Sequence, residues 1–193
     1  MNKNNVPERF KGRVGYHIFV DRFCKYGKDP QVILGRKTKK WEDSVPDWWP
    51  DADGEYRNEY FYKGNLQGII HQLDYIQSLG VGIIFLSPIS HTFTNHHYDV
   101  CDQRIIDPYI GDWNDFRKLC ENAHKKDILI GVDLVFNHMG AKSDYFKEAL
   151  KGNEKYKPWF EWDKNGNPIF WYNFKDMPQC NKLDKDYQNY TFS

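Results

Sequence analysis

Residues 65 to 88 constrain the fold more tightly than any other stretch of this sequence. Asn65 can cap a helix in which Leu66, Ile69, Ile70, Leu73, Ile76 and Leu79 fall on one face, and Gly80 supplies the left-handed residue that ends it. The run VGIIFLSP follows at once, apolar until Pro88, which is the pattern of a short strand covered on both faces. A one-faced helix that delivers the chain directly into a buried strand is the repeating step of a parallel α/β sheet. The same grammar lies on either side. GRVGYHIFVDRF, with Val14, Tyr16, Ile18 and Val20, reads as an earlier buried strand. A later helix opens on Asp112 as cap, with Asp115 near its positive end, and turns Trp113, Phe116, Leu119, Cys120 and Ala123 inward. It closes on His124, Lys125 and Lys126 at the negative end, and ILIGVDLVFNH reads as a third buried strand.

Between these elements the pattern loosens. Residues from about Cys24 to Lys63 hold no sustained period and read as a long loop, with a small hairpin around Asp53-Gly54. A polar loop with His91, His96, His97, Tyr98 and Asp99 runs to Gly111. After His138 the period is lost: Asp144 to Leu150 suits a short helix, aromatic and polar residues continue to Asn181, and LDKDYQNY begins another helix. The expected organisation is a first part over 1–138, an inserted domain over 139–182, and the start of a further helix over 183–193.

At 40% hydrophobic and 17% aromatic the chain can build a packed core, so it is expected to be globular. Lys plus Arg and Asp plus Glu stand at 27 each, so no net field draws it toward nucleic acid or an anionic membrane. No apolar stretch is long enough for a secretory signal or a membrane span, and a soluble cytoplasmic protein is expected. Cys24, Cys101, Cys120 and Cys180 form no C-x-x-C pair and read as ordinary reduced thiols. Three parallel strands suit either a doubly wound sheet or part of an eight-stranded barrel. DRFCKYGKDP after the first strand offers no G-x-G-x-x-G and no phosphate loop, so the barrel is preferred.

Five segments then carry a resemblance. DLVFNH at Asp133 to His138, preceded by AHKKDI, resembles the first signature region of glycoside hydrolase family 13. NHHYDVCD resembles the N-H-x-Y-D-x-x-D pattern of that family's neopullulanase and cyclomaltodextrinase branch. YHIFVDRF with GNLQGIIHQLDYIQSLGV, DPYIGDWNDFRKL, and MPQCN at Met177 to Asn181 are similar to further family segments in the same order. The resemblance implies a partial (β/α)8 TIM barrel of about three βα units with a small domain inserted after the third strand, and α-linked glucans as substrates. It implies that His96 and Tyr98 line the subsite of the sugar to be cleaved and that His138 hydrogen-bonds that sugar's hydroxymethyl group. Asp133, Asp99 and Asp102 are expected to support the site. Asn137 matches a position that is a calcium ligand in many α-amylases, so calcium is possible though no cofactor is required. Gln103 stands where the branch usually has an aromatic residue, and Cys180 replaces an aliphatic one.

Retaining glycoside hydrolysis needs two carboxyl groups about 5–5.5 Å apart. By the resemblance the catalytic carboxylates come from later strands, so none is expected in this chain, which alone should be inactive. Asp133 is read as a supporting group rather than a nucleophile. A phenol ring such as that of Tyr98 can pack on the apolar face of a pyranose, or serve simply in a core. Trp159, Phe160, Trp162, Trp171, Tyr172 and Phe174 crowd the inserted segment, where most are expected to build its core and some a sugar platform. Open sheet edges lead to an expectation of poor solubility or self-association, with the oligomer unspecified. A noncatalytic glucan-binding or scaffold protein with the same barrel, or a glycosyltransferring relative, would share every one of these features.

Overall fold

The structure is a computed structural model that describes residues 6–43 and 57–192. The suggested hairpin at Asp53-Gly54 lies outside them. In chain order the elements are β1 (Val14–Ile18), α1 (Val20–Phe23), β2 (Lys37–Thr38), β3 (Tyr60–Phe61), α2 (Leu66–His71), α3 (Leu73–Ser78), β4 (Val81–Leu86), β5 (Ser90–His91), β6 (Asp102–Ile106), α4 (Trp113–Lys125), β7 (Leu129–Val132), α5 (Asp144–Leu150) and α6 (Lys185–Phe192).

The three expected strands form one parallel sheet in the order β1-β4-β7, with Ile18 opposite Leu86 and Leu86 opposite Val132. Helical caps fall where the sequence placed them. Asn65 Oδ1 accepts from Gly68 N at 2.7 Å, Asp112 Oδ1 accepts from Asp115 N at 2.8 Å, and Gly80 adopts φ +74°. Leu66, Ile69, Leu73, Ile76, Leu119 and Ala123 pack with Ile18, Val20, Ile84 and Leu86 in one core between helices and sheet.

Several expectations need correction. The helix predicted from Asn65 to Gly80 is two helices, since the ladder tightens at Gln72, whose N–H is shared among the carbonyls of Gly68, Ile69 and Ile70. Leu79 is exposed rather than inward. Strand β1 stops at Ile18, and Val20 belongs to α1. Val14, at the start of edge strand β1, is exposed, and all four residues of β7, the other edge strand, are only partly buried, while the helices cover one face of the sheet. On the other face Phe85 is 48% exposed, although β4 was read as covered on both sides. Its ring lies over the glycines of both neighbouring strands, so that a Cβ at Gly131 would sit 2.9 Å from it and one at Gly15 3.5 Å. Trp113, read as inward, is exposed and donates through Nε1 to the Arg104 carbonyl at 3.1 Å.

The long loops hold structure that periodicity did not show. Strands β2 and β3 pair in parallel, and β5 pairs with β6 as an antiparallel hairpin. Beyond β7 a second apolar cluster gathers Met139, Phe146, Ala149, Trp159, Phe160 and Cys180 with Tyr187 and Tyr190 of α6. Of the six aromatic residues singled out there, Trp159 and Phe160 are buried, while Trp171, Tyr172 and Phe174 reach the surface. The four cysteines are free thiols. Among the described residues no helix is long and apolar enough to cross a membrane.

Candidate functional site

The loop between β5 and β6 is shaped by buried charge. Asp107, just past β6, accepts from Arg36 Nη1 at 2.8 Å and Nη2 at 2.6 Å, and neither side chain is exposed. Arg36 reaches it from the long loop after α1, inside a cage of Phe61, Phe93 and Tyr109 rings. Arg36 Nη2 also donates to the Thr92 carbonyl, and Tyr109 N donates to Asp107 Oδ1 at 2.9 Å. His97 is held at φ +61°, with Nδ1 3.0 Å from the Ser90 carbonyl oxygen.

On that frame the expected residues converge. Thr92 and Thr94 hydroxyls both donate to Asp99 Oδ1, which fixes this buried carboxylate. Tyr98 N donates to His96 Nδ1 at 3.0 Å, and the two rings lie 5.9 Å apart. The Tyr98 hydroxyl crosses to the end of β7 and donates to Asp133 Oδ2 at 2.7 Å. Asp133 is itself placed by its backbone N–H on the Leu86 carbonyl at 2.9 Å. His138 Nε2 stands 3.0 Å from the Tyr98 carbonyl, so it carries the proton and Nδ1 is the acceptor. That Nδ1 is buried without a partner. His96, Tyr98, Asp99, Asp133 and His138 thus form one group at the C-terminal ends of β4 and β7.

Asp102 serves a different set. It accepts from the hydroxyls of Tyr190 at 2.9 Å and Tyr145 at 3.0 Å, tying β6 to α6 and α5. Gln103, beside it, donates through Nε2 to the Val135 carbonyl at 2.6 Å. Asn137 Oδ1 accepts from Lys182 Nζ at 3.1 Å.

Two neighbours complete the group: Trp171, which the sequence offered among six aromatic residues for a core or a sugar platform, and Asp176, which it did not single out. The Trp171 indole stacks on the His138 imidazole at 5.0 Å and 24°, brought there by a turn in which Tyr172 and Asn173 both take positive φ. The Asp176 carboxylate acts electrostatically on both His96 and His138. No glycine or spacing flags that turn, so the sequence named Trp171 among candidate aromatics without placing it against His138.

Burial pushes the Tyr98 hydroxyl up, with the Asp133 carboxylate adding to it, to about 12, so this group remains a donor through neutral and mildly alkaline pH. Burial pushes His138 down, against the opposing pull of Asp99 and Asp176. It does the same to His91 and His96, which are therefore neutral at pH 7. The linkage has a definite sign. With folded values below the ordinary 6.5, the unfolded chain binds more protons in that interval, so stability is full above about 6.5 and falls as pH drops below it. Urea midpoints at about pH 7.5 and about pH 5.5 check this, and the lower pH is expected to give the lower midpoint; an equal or higher one would contradict it.

Comparison with known proteins gives a consistent result. A family model described as alpha amylase, catalytic domain, matches residues 9–192. The chain is similar to the intracellular maltogenic amylase of Bacillus subtilis (strain 168), 34% identical over 193 residues that cover 96% of this chain and 30% of that protein. It is similar to neopullulanase 2 of Thermoactinomyces vulgaris, 36% identical over 157 residues that cover 80% of this chain and 25% of that protein. Among solved structures, the type III pullulan hydrolase from Thermococcus kodakarensis superposes with TM-score 0.78 at 26% identity, over 93% of this chain and 34% of that one. The cyclic alpha-maltosyl-(1→6)-maltose hydrolase from Arthrobacter globiformis, in complex with maltose, gives 0.76 at 28% identity, over 93% and 40%. The chain spans 30% of the length of the first of these relatives.

Proposed function

The chain belongs to the alpha-amylase catalytic-domain family, and from that premise we propose that it forms the sugar-contacting wall of a retaining glycosidase for α-linked glucans of the maltodextrin, pullulan or cyclodextrin type. The observation that carries this reading is the pair of contacts joining Tyr98 to the end of β7, its hydroxyl on Asp133 at 2.7 Å and its carbonyl on His138 Nε2 at 3.0 Å. With the Tyr98 N–H on His96 Nδ1 at 3.0 Å, these contacts fix a phenol ring and two imidazoles at the strand ends where barrel enzymes carry their sites. The Tyr98 ring offers a face to a pyranose, while His96 and His138 offer polar ring atoms to its hydroxyls. A sugar hydroxyl donating to His138 Nδ1 would satisfy an acceptor that is otherwise buried and unpaired. Exposed Trp171 and Tyr172 extend the apolar surface beside it.

In this proposal the three-stranded sheet is one arc of a (β/α)8 barrel, whose interior layer includes Phe85 over Gly15 and Gly131, and residues 139–182 are an insertion. Asp133 holds the Tyr98 hydroxyl and does not act as nucleophile. In this reading the bond-breaking carboxylates are not among residues 1–193. Four free thiols suit a reducing, cytoplasmic setting.

Reducing-sugar release from maltodextrin, pullulan and cyclodextrin tests the division of labour: this chain alone is expected to release none, and release by it would overturn the assignment. Calorimetric titration with a maltooligosaccharide tests the wall itself. Tyr98→Ala is expected to weaken binding about threefold to tenfold, equivalent to the roughly 0.5–1.5 kcal/mol that an aromatic contact adds beyond area burial. Undiminished binding would remove Tyr98 from the sugar site.

A further inference from the structure

The family resemblance raised a calcium ion at Asn137, and the oxygen atoms around that side chain decide whether one fits. Three oxygens from three segments converge on one point: Asn137 Oδ1 at the end of the β7 segment, the Cys180 carbonyl, and Glu161 Oε1 of the inserted segment. The point they surround is the ammonium of Lys182, at 3.1, 3.3 and 3.8 Å respectively. The carboxylate is held in place, since its other oxygen accepts from Gln179 Nε2 at 2.7 Å. Backbone bonds close the same corner, Cys180 N on the Asn137 carbonyl at 2.9 Å and Glu161 N on the Gln179 carbonyl at 2.9 Å.

This donor set of amide oxygen, backbone carbonyl and carboxylate is the kind that hard cations take. Calcium, however, needs six to eight oxygens at about 2.3–2.6 Å, and here the centre of the set is a side-chain ammonium whose like charge repels a divalent ion. The site therefore does not fit calcium while Lys182 occupies it.

We infer that the Lys182 ammonium is the resident cation of this corner, so that the protein pins its inserted segment to the end of β7 without a metal ion. Lysine suits the task, because its N–H donors reach the two neutral oxygens as hydrogen bonds, its charge pairs with the Glu161 carboxylate, and its flexible stem brings the ammonium in while the side chain stays half-exposed. The inference concerns how the corner is held, and it stands whether or not the neighbouring group binds a glucan.

Two measurements test it. Calcium titrated calorimetrically into chelator-treated wild-type chain is expected to give no saturable heat up to about 1 mM, and the thermal midpoint is expected to be the same with chelator as with calcium. Saturable micromolar binding, or a midpoint that rises with calcium, overturns the inference. Lys182→Ala is expected to lower the thermal midpoint by several degrees, and Lys182→Arg to recover part of the loss. Partial recovery of the Lys182→Ala midpoint by calcium but not by sodium would mark the vacated oxygens as a cation seat and support the inference further. A Lys182→Ala midpoint equal to that of the wild type overturns it. If that variant does not fold, the wild-type calcium titration still decides.

Discussion

Asp107→Ala is expected to cost about 3–5 kcal/mol of folding stability, a large part of the margin a domain of this size commands. The carboxylate and the Arg36 guanidinium are both wholly buried and joined by two hydrogen bonds of 2.8 and 2.6 Å. Truncating Asp107 leaves the guanidinium charged, because arginine does not deprotonate, and buried inside a cage of three aromatic rings. Arg36 Nη2 keeps the Thr92 carbonyl and its 3.1 Å contact with His91 Nδ1, but neither carries a negative charge, and Arg36 Nε already lacks a partner. Replacing both members, as Arg36→Met with Asp107→Leu, is expected to be less damaging than Asp107→Ala alone, since most of the penalty comes from one orphaned charge. Urea unfolding of the two variants beside the wild type measures this. A loss below about 1 kcal/mol for Asp107→Ala would mean that the buried pair does not organise the loop.

The same pair sets an acid limit. Burial pushes the Asp107 carboxyl up, but His97 and Arg36 together outweigh it and hold the group below the ordinary 3.8. Its contribution is therefore complete above the unfolded value and is lost as pH falls below 3.8 through the folded one. The histidine effect operates in a separate window nearer neutrality, so two successive losses are expected on acidification.

Elements bounded by local chemistry could be read from the sequence, and elements bounded by distant partners could not. Asn65, Asp112 and Gly80 act within one helical turn of themselves, and each terminus lies where its residue type requires. The β5–β6 hairpin escaped because its strands are short and their pairing is irregular between Ser90 and His91, so neither shows alternation. Arg36 lies in the segment read only as a long loop, and its burial depends on an aspartate 71 residues away. Phe85 was misjudged because an apolar run cannot say which face of a sheet the helices leave uncovered, and Val14 because the run does not show that its strand opens at a sheet edge. At the site, the resemblance to glycoside hydrolase family 13 is what singled out His96, Tyr98 and His138 together. Trp171 and Asp176 depended on a turn with two left-handed non-glycine residues, which no residue pattern announces.

Gly140→Ala is the second change expected to have a large effect, and it acts on the site directly. A Cβ on Gly140 would lie 2.3 Å from the Asp99 carbonyl oxygen and 3.0 Å from its carbon, with the Cys101 Sγ at 3.3 Å. The obstacle is backbone rather than the tip of a movable side chain, so one segment must shift. The two segments are those that carry the site: Asp99 follows Tyr98, Gly140 lies two residues after His138, and the Gly140 N–H bonds the Val100 carbonyl at 2.7 Å. Moving them apart stretches the 3.0 Å contact of His138 Nε2 with the Tyr98 carbonyl, so polar and apolar halves of the proposed sugar wall lose registry together. A stability loss of at least about 1–3 kcal/mol is expected, accompanied by weaker glucan binding than Tyr98→Ala retains. Gly15→Ala is the control, because its Cβ would meet only Phe85 at 3.5 Å, an ordinary contact. Equal urea midpoints for the two variants would show that the chain absorbs the Gly140 clash elsewhere and that this close approach does not hold Tyr98 and His138 together. A lower midpoint for Gly140→Ala alone, with binding lost in step, would tie the geometry of the wall to the absence of one methyl group.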